Sequence, residues 1–398
     1  MLKGKNIVLG VTGGIAAYKA CDIASRLIKL GAEVHVIMTR AACEFVAPLT
    51  FKSLTGNKVH TSLFDENEEG VPHIDLARKA DAILIAPATA NFIAKAAGGI
   101  GDDMLSTTIL AANDKKIIIS PAMNTHMYEN KVVQENLEKL RGRGFVVIKP
   151  ATGRLACGAE GVGKLPEPGE IVERVVMELA FEKNLLGKRV LITAGPTQEA
   201  IDPVRYITNH STGKMGYALA RVAKAKGANV TLVTGKTNLP APVGVDVVEI
   251  TSARDMFREV TERYFEQDIV IKAAAVADFK PKNVNDKKTK KENGELNIEL
   301  DRTDDILKYL GQKKAHQVLV GFCMETENLI ENAKKKLEGK NLDMICANSL
   351  TVPGAGFGVD TNVLTILTKD GEKMELPMDT KENLAAVILD KIATINEQ

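Results

Sequence analysis

The sequence predicts an α/β protein made of two Rossmann-like doubly wound domains. Three observations carry that prediction. Short unbroken apolar runs alternate with helical stretches along the chain, the pattern restarts near the middle, and each half opens with an apolar run that ends in a glycine-containing turn. Runs of this kind are what strands covered on both faces look like, and their alternation with helices builds a parallel sheet.

The elements follow in order. "NIVLGVTG" (6–13) reads as the first strand, and residues 15–30 then carry helical periodicity. "EVHVIMT", "AILIAPAT", "KKIIISPAM" and "FVVIKPA" follow as strands with helical segments between them. A last amphipathic helix, "GEIVERVVMELAFEKN", is expected to end near Asn184. Then "LLGKRVLITAGPT" (185–197) echoes the N-terminal "LKGKNIVLGVTGG", and "GANVTLVTGK" (227–236) echoes "GAEVHVIMTR" (31–40). Domains are therefore expected at 1–184 and 185–398. From Gly4 to Gly31 is 27 positions, but from Gly187 to Gly227 is 40. The excess lies mostly in "TAGPTQEAIDPVRYITNHSTGKMG", a turn enlarged into a binding loop.

Composition removes several function classes. At 398 residues the chain is too long for one ordinary core. A net charge of +1 gives no field for nucleic acid or an anionic membrane, and the absence of Trp with 4% aromatics argues against base-stacking platforms. The longest apolar stretch, 82–100, is broken by Pro87, Asn91 and Lys95, so no membrane span is expected. The start of the chain feeds straight into a strand with no secretory pattern, and a cytoplasmic location is expected. Five cysteines without a C-x-x-C pair exclude a disulfide framework and zinc-finger spacing. Four of them read as small buried residues in helices or strands. Cys157 differs, because it sits in the Gly- and Pro-rich "LACGAEGVGKLPEPGE".

Each glycine turn places backbone N–H groups and a helix dipole where a phosphate would sit, or else merely permits tight packing. "GVTGGIA" and "STGKMG" do not match G-x-G-x-x-G, and neither second strand ends in an acidic residue for a ribose, which disfavours NAD. Met215 occupies the Mg²⁺-ligating position that a P-loop would need. His73, in "VPHIDLARKAD", reads as either structural or catalytic. Asn124 falls at the carboxyl edge of the sheet, as a ligand contact or a helix N-cap. Cys157 reads as a lid thiol or a plain loop residue. The Lys-rich "FKPKNVNDKKTKKENGE" is a solvated loop unless something phosphorylated orders it.

In the first half, "GVTGGIAAYK", "PHIDLA", "APATAN", "PAMNTHM" and "LACG" occur in the order that resembles the flavin-dependent cysteine decarboxylases, specifically phosphopantothenoylcysteine decarboxylase. The second half, with the enlarged turn, "AAAVADF", "KTKK", "GFCMET" and "NLDMICAN", resembles phosphopantothenate–cysteine ligase. The fused arrangement resembles the bacterial bifunctional coenzyme A biosynthesis proteins. One departure is Tyr128, where the decarboxylase motif more often has Trp.

The resemblance implies FMN in the first domain, its phosphate at Gly13–Gly14 with Thr39, Thr89 and Asn91 as further contacts. It implies His73 for proton handling, Asn124 for the carboxylate of phosphopantothenoylcysteine, and Cys157 as proton donor on a closing lid. In the second domain it implies CTP with Mg²⁺, joining 4′-phosphopantothenate to L-cysteine through an acyl-cytidylate. Asn209 would stand at the reacting acyl group, with Arg205 pairing an anion and Ser211 and Gly213 cradling phosphate. Ala274, Ala275, Asp278, Lys288, Lys290, Asp305, Ile306, Phe322, Lys336 and Lys340 would form the nucleotide side. Lys336 and Lys340 share one helix face by their i, i+4 spacing. No metal ligands are assigned. Homo-oligomers are implied too: trimers of the flavin domain, grouped into dodecamers, and dimers of the ligase domain. An NAD-dependent oxidoreductase, a flavin electron carrier and a non-catalytic regulator remain as alternatives, separable by colour and by CTP-dependent pyrophosphate release.

Overall fold

The computed structural model describes residues 1–64, 70–154, 158, 160–288, 297–325, 327–349, 352 and 354–395. The chain forms two compact units, Met1–Ala180 and Phe181–Gln398. Among the described residues no helix is long and apolar enough to cross a membrane.

The strands of the first unit are β1 (Asn6–Val11), β2 (Glu33–Met38), β3 (Val59–His60), β4 (Ala82–Ala88), β5 (Lys116–Pro121), β6 (Val146–Val147), β7 (Ala151–Arg154) and β8 (Glu160–Lys164). The first six form one parallel sheet in the order β3-β2-β1-β4-β5-β6. This is the doubly wound order, and its reversal between β1 and β4 leaves a crevice at the carboxyl ends of those strands. β4 is buried at every position, as its unbroken apolar sequence requires. Ile83 and Ile85 join Phe92, Ile93, Leu105 and Leu137 in the core on one face. β7 and β8 stand apart as an antiparallel hairpin. The helix after them, Pro168–Leu179, ends five residues before the Asn184 expected from periodicity.

In the second unit the strands are β9 (Arg189–Ala194), β10 (Gln198–Ala200), β11 (Tyr206–Thr208), β12 (Asn229–Thr234), β13 (Asp246–Glu249), β14 (Ile269–Lys272), β15 (Phe279–Pro281), β16 (Leu300–Arg302), β17 (Val318–Glu325), β18 (Met344–Ser349), β19 (Thr361–Thr368) and β20 (Lys373–Thr380). The main sheet runs β13-β12-β9-β14-β17-β18-β19-β20. Its first six strands repeat the doubly wound order of the first unit, which explains the sequence echo at 185–197 and 227–236. Two antiparallel strands, β19 and β20, extend it beyond that order. Apolar clusters cover both faces, one built on Ile192, Ile271, Val320 and the helix Lys381–Ile395, the other on Leu191, Val270, Leu319 and Leu337.

The enlarged turn is not an irregular loop. Residues 198–200 and 206–208 within it fold as the antiparallel pair β10–β11, whose strands bond to each other across the turn. Cys323 and Cys346 are buried, and burial pushes both thiols well above their ordinary pKa. Cys21 and Cys43 are only half-buried, against the expectation that all four would lie in the core.

Candidate functional sites

A cavity of about 1000 Å³ opens at the β1/β4 reversal, within the size of small-ligand sites. Its floor is the turn after β1. Thr12 is buried there and ties the two strand ends together: its hydroxyl donates to the Pro87 carbonyl at 2.8 Å and accepts from the Thr89 N–H at 3.0 Å. Removing that hydroxyl strands the Thr89 N–H, while the Pro87 carbonyl keeps its bond from the Thr12 backbone. Thr12→Val is therefore expected to lower stability by about 1–3 kcal/mol, read from urea unfolding of the full chain.

Gly13, Gly14, Thr39, Thr89, Asn91 and Asn124 all line this cavity. A Cβ on Gly14 would find only the Thr89 methyl, at 3.7 Å, so the turn leaves an open cradle beside its backbone. Thr39 and Thr89 also serve as N-caps, accepting from the Ala42 and Phe92 N–H groups. Asn124 combines both readings of its sequence position, since it lines the cavity and its Oδ1 accepts from the His126 N–H at 2.9 Å. Arg40 and Arg154 reach the wall without an ion pair to any described residue, whereas Lys95 is held by Asp102 and Asp103. A glycine turn with an open face, threonine hydroxyls, cationic side chains and an apolar wall from Met123, Met127 and Leu165 suit a planar cofactor that carries a phosphate.

The β7–β8 hairpin closes one side. The Met123 N–H donates to the Gly163 carbonyl at 3.0 Å, and a Cβ on Gly163 would lie 2.3 Å from the Met123 oxygen. With φ at +132° as well, this position accepts only glycine. Cys157 lies outside the described residues. His73 is described, at the start of the helix Pro72–Lys79, but it is not among the residues that line the cavity of its own chain.

The second cavity, about 440 Å³, lies at the equivalent reversal between β9 and β14. Two buried threonines build its edge. The Thr193 hydroxyl accepts from the Ala274 N–H at 3.1 Å and the Thr197 hydroxyl from the Ala277 N–H at 3.0 Å, pinning the alanine run against the end of β9. The Asn209 amide donates to the Ala275 carbonyl at 3.1 Å, so the enlarged turn and the alanine run meet at one point. Gly216 lets the helix Lys214–Ala225 lie directly on β9, where a Cβ would come 2.5 Å from that of Ala194. Asn209, Ser211, Gly213, Ala274, Ala275, Asp278, Asp305, Ile306, Phe322, Lys336 and Lys340 all line this cavity.

Three expected residues do not join them. Arg205 forks onto its own turn, with Nε 3.0 Å and Nη2 2.5 Å from Asp202 Oδ2, and that carboxylate also accepts from the Val204 and Arg205 N–H groups. The anion it meets within this chain is thus a structural carboxylate. Lys288 is exposed and away from the lining, and Lys290 lies outside the described residues. Lys336 pairs with Glu325 at 2.6 Å and Lys340 with Asp305 at 2.8 Å.

Sequence reading missed Lys214, Lys272, Asn348 and Lys381, which also line the cavity. Lys381 is buried and donates to the carbonyls of Gly356 and Val359, while Lys214 donates to the Gly358 carbonyl and Asp360. Lys272 carried a local signal, as a charge inside the apolar "IVIKAAAV", and Lys214 stood within "STGKMG". Among the described residues no group of three or more His, Cys, Asp or Glu is placed to hold a metal.

The comparisons agree with this division. A family model described as "Flavoprotein" matches residues 1–180, and one described as "DNA/pantothenate metabolism flavoprotein C-terminal domain" matches residues 185–395. The chain is 52% identical over 402 residues to the coenzyme A biosynthesis bifunctional protein CoaBC of Bacillus subtilis (strain 168), covering 100% of this chain and 99% of that protein. It is 43% identical over 398 residues to the protein of the same name from Escherichia coli (strain K12), covering 99% and 98%. A crystal structure of the C-terminal domain of a coenzyme A biosynthesis bifunctional protein CoaBC is 49% identical, covers 54% of this chain and 99% of its own, and superposes with a TM-score of 0.48. With both family models matched in one chain and about half of all residues shared end to end, this chain belongs to the family of bifunctional coenzyme A biosynthesis proteins.

Proposed function

We propose that the second unit joins 4′-phosphopantothenate to L-cysteine at the expense of CTP, and that the first unit decarboxylates the product, phosphopantothenoylcysteine, with FMN. One observation supports the reading most directly: two separate cavities lie at equivalent strand reversals, each floored by a glycine turn, and Asn124 lines the first and Asn209 the second.

In the first cavity the Gly13–Gly14 turn, with Thr39, Thr89 and Asn91, would hold FMN. When bound, the flavin supplies a two-electron sink for the substrate's thiol carbon, so that loss of CO₂ need not leave an unstabilised carbanion. The protein's part is position. Asn124, its side chain already oriented by the His126 N–H, presents its amide to the substrate carboxylate. The β7–β8 hairpin walls that position off from water, and Cys157 is proposed to donate the last proton. His73 is proposed to serve the cavity of a neighbouring copy within a homo-oligomer. The exposed apolar side chains Ile15, Tyr18 and Met127 on the cavity's rim support such an assembly.

In the second cavity Asn209 has one amide hydrogen engaged by the Ala275 carbonyl. Its other amide hydrogen is thereby aimed, and it donates to the acyl oxygen as charge develops there. The Gly213 N–H donates to the Ser211 hydroxyl at 3.3 Å, which fixes the turn, and the first-turn N–H groups of the helix Lys214–Ala225 are proposed to donate to a phosphate. Mg²⁺ is proposed to arrive on the triphosphate oxygens, as is usual for this ion.

The test is a visible absorption spectrum of the purified protein, followed by addition of phosphopantothenate, CTP and cysteine with mass-spectrometric detection. A yellow protein that releases pyrophosphate and then CO₂ is the expected result. A colourless protein, or one indifferent to CTP, would overturn it.

A further inference from the structure

Five lysines line the second cavity, and four of them have partners. Lys336 and Lys340 are paired with carboxylates, Lys214 with Asp360 and a carbonyl, and Lys381 with two carbonyls. Lys272 alone has no hydrogen bond or ion pair to any described residue. Its position explains why that matters. It ends β14, in register with Thr193 on one side and Gly321 on the other. Val270, two residues earlier and so on the same face of the sheet, packs against Leu307, Leu342 and Ile345. Lys272 leaves the sheet on that face. Beside it Gly321 has no side chain and Leu342 and Leu307 close over that spot, since a Cβ there would come 2.9 Å from Leu342 and 3.2 Å from Leu307.

An unpartnered ammonium in such a place is costly unless a ligand supplies an acceptor. Burial pushes the Lys272 pKa down to about 8, with the charge of Lys340 acting in the same direction and Asp305 and Asp278 opposing. Two cations and two anions thus face one another, so the niche is close to neutral overall. A triphosphate would bring its charge against Asp278 and Asp305. A planar, uncharged heterocycle with ring acceptors suits the apolar walls of Leu307, Leu342 and Ile345 better.

We propose that Lys272 is a specificity-determining residue of the ligase site, donating to the O2–N3 acceptor edge of a cytosine base. This rests on the reading of the second cavity as the nucleotide site. Uracil carries N3–H on the same edge and turns a donor toward the ammonium, so it is disfavoured there.

The experiment is calorimetric titration of the full chain and its Lys272→Met variant with CTP, UTP and cytidine. Lys272→Met is expected to weaken CTP and cytidine by about 10- to 100-fold, as for a lost hydrogen bond to a charged group, and to leave UTP within about twofold. Equal weakening of CTP and UTP with cytidine unchanged would place the lysine on the phosphates and overturn the proposal, as would no change at all. Should the methionine variant fail to fold, Lys272→Gln replaces it. The wild type should then lose CTP affinity between pH 7 and 9.5 as Lys272 gives up its proton, and the Gln variant should show no such loss. The other charged groups facing it are Lys340, Asp305 and Asp278, and its strand neighbours Thr193 and Gly321 do not titrate in that range. Wild-type protein that does not turn over CTP would overturn the functional reading itself, whereas normal turnover with an indifferent Lys272→Met defeats this inference alone.

Discussion

Replacing Asn209 with Ala is expected to lower ligase turnover by about 100-fold or more, the usual cost of losing one aimed donor at a developing negative charge. The visible flavin absorbance and the decarboxylation of added phosphopantothenoylcysteine stay at wild-type levels, because Asn209 belongs to the second unit. Its amide donates to the Ala275 carbonyl at 3.1 Å, and that carbonyl is fixed because it also accepts from the Thr197 N–H at 3.3 Å while the Ala275 N–H donates to Gly195. Asn209→Asp tests the same geometry with an acceptor in place of the donor, and should fail equally. Pyrophosphate release measured with saturating CTP decides the matter. Undiminished release would remove Asn209 from the chemistry and leave the enlarged turn without its proposed purpose.

Gly163→Ala has the second large effect, in the other unit. The new methyl would have to occupy a point 2.3 Å from the Met123 carbonyl oxygen, at a backbone angle that side chains resist. Neither atom can yield without moving the segment that carries Asn124. The hairpin must therefore lift away, taking Lys164 and Leu165 out of the cavity wall. Misplacing a positioning group by about 1 Å costs roughly 100-fold, and decarboxylation should fall by about that factor while ligase turnover is unchanged. Product formation from added phosphopantothenoylcysteine reads the effect. A variant that decarboxylates normally would show that the hairpin does not set the position of Asn124.

The doubly wound class of both units was legible because buried parallel strands leave unbroken apolar runs, and the repeat at 185–197 and 227–236 announced a second copy of the same winding. β19 and β20 were not foreseen. β20 alternates exposed and half-buried positions, and "KMELPMDT" resembles a polar surface segment more than a strand. The hairpin β10–β11 stayed hidden because its strands are only three residues each, too short to show a period. Most of the residues that line the two cavities were named from the family resemblance; Gly13, Gly14, Gly213, Ala274 and Ala275 were also visible as glycine- and alanine-rich turns at strand ends. Arg205 misled because its partner, Asp202, is three residues away and needs the turn to bring them together. Lys381 could not be found by local reading, since it sits on a helix far along the chain and is tied to carbonyl oxygens of the Gly356–Val359 segment, whereas Lys214 stood inside the quoted "STGKMG" and was passed over.

β20 forms one outer margin of the eight-stranded sheet. Lys373, Glu375, Pro377 and Asp379 follow one another along it at every second residue. An approaching chain that tried to add a further strand would meet a lysine and two carboxylates and, between the carboxylates at Pro377, a residue with no N–H to give. The sheet therefore stops growing here by the choice of side chains, and exchanging Pro377 and Glu375 for valines would turn a finished border into a template for polymerisation.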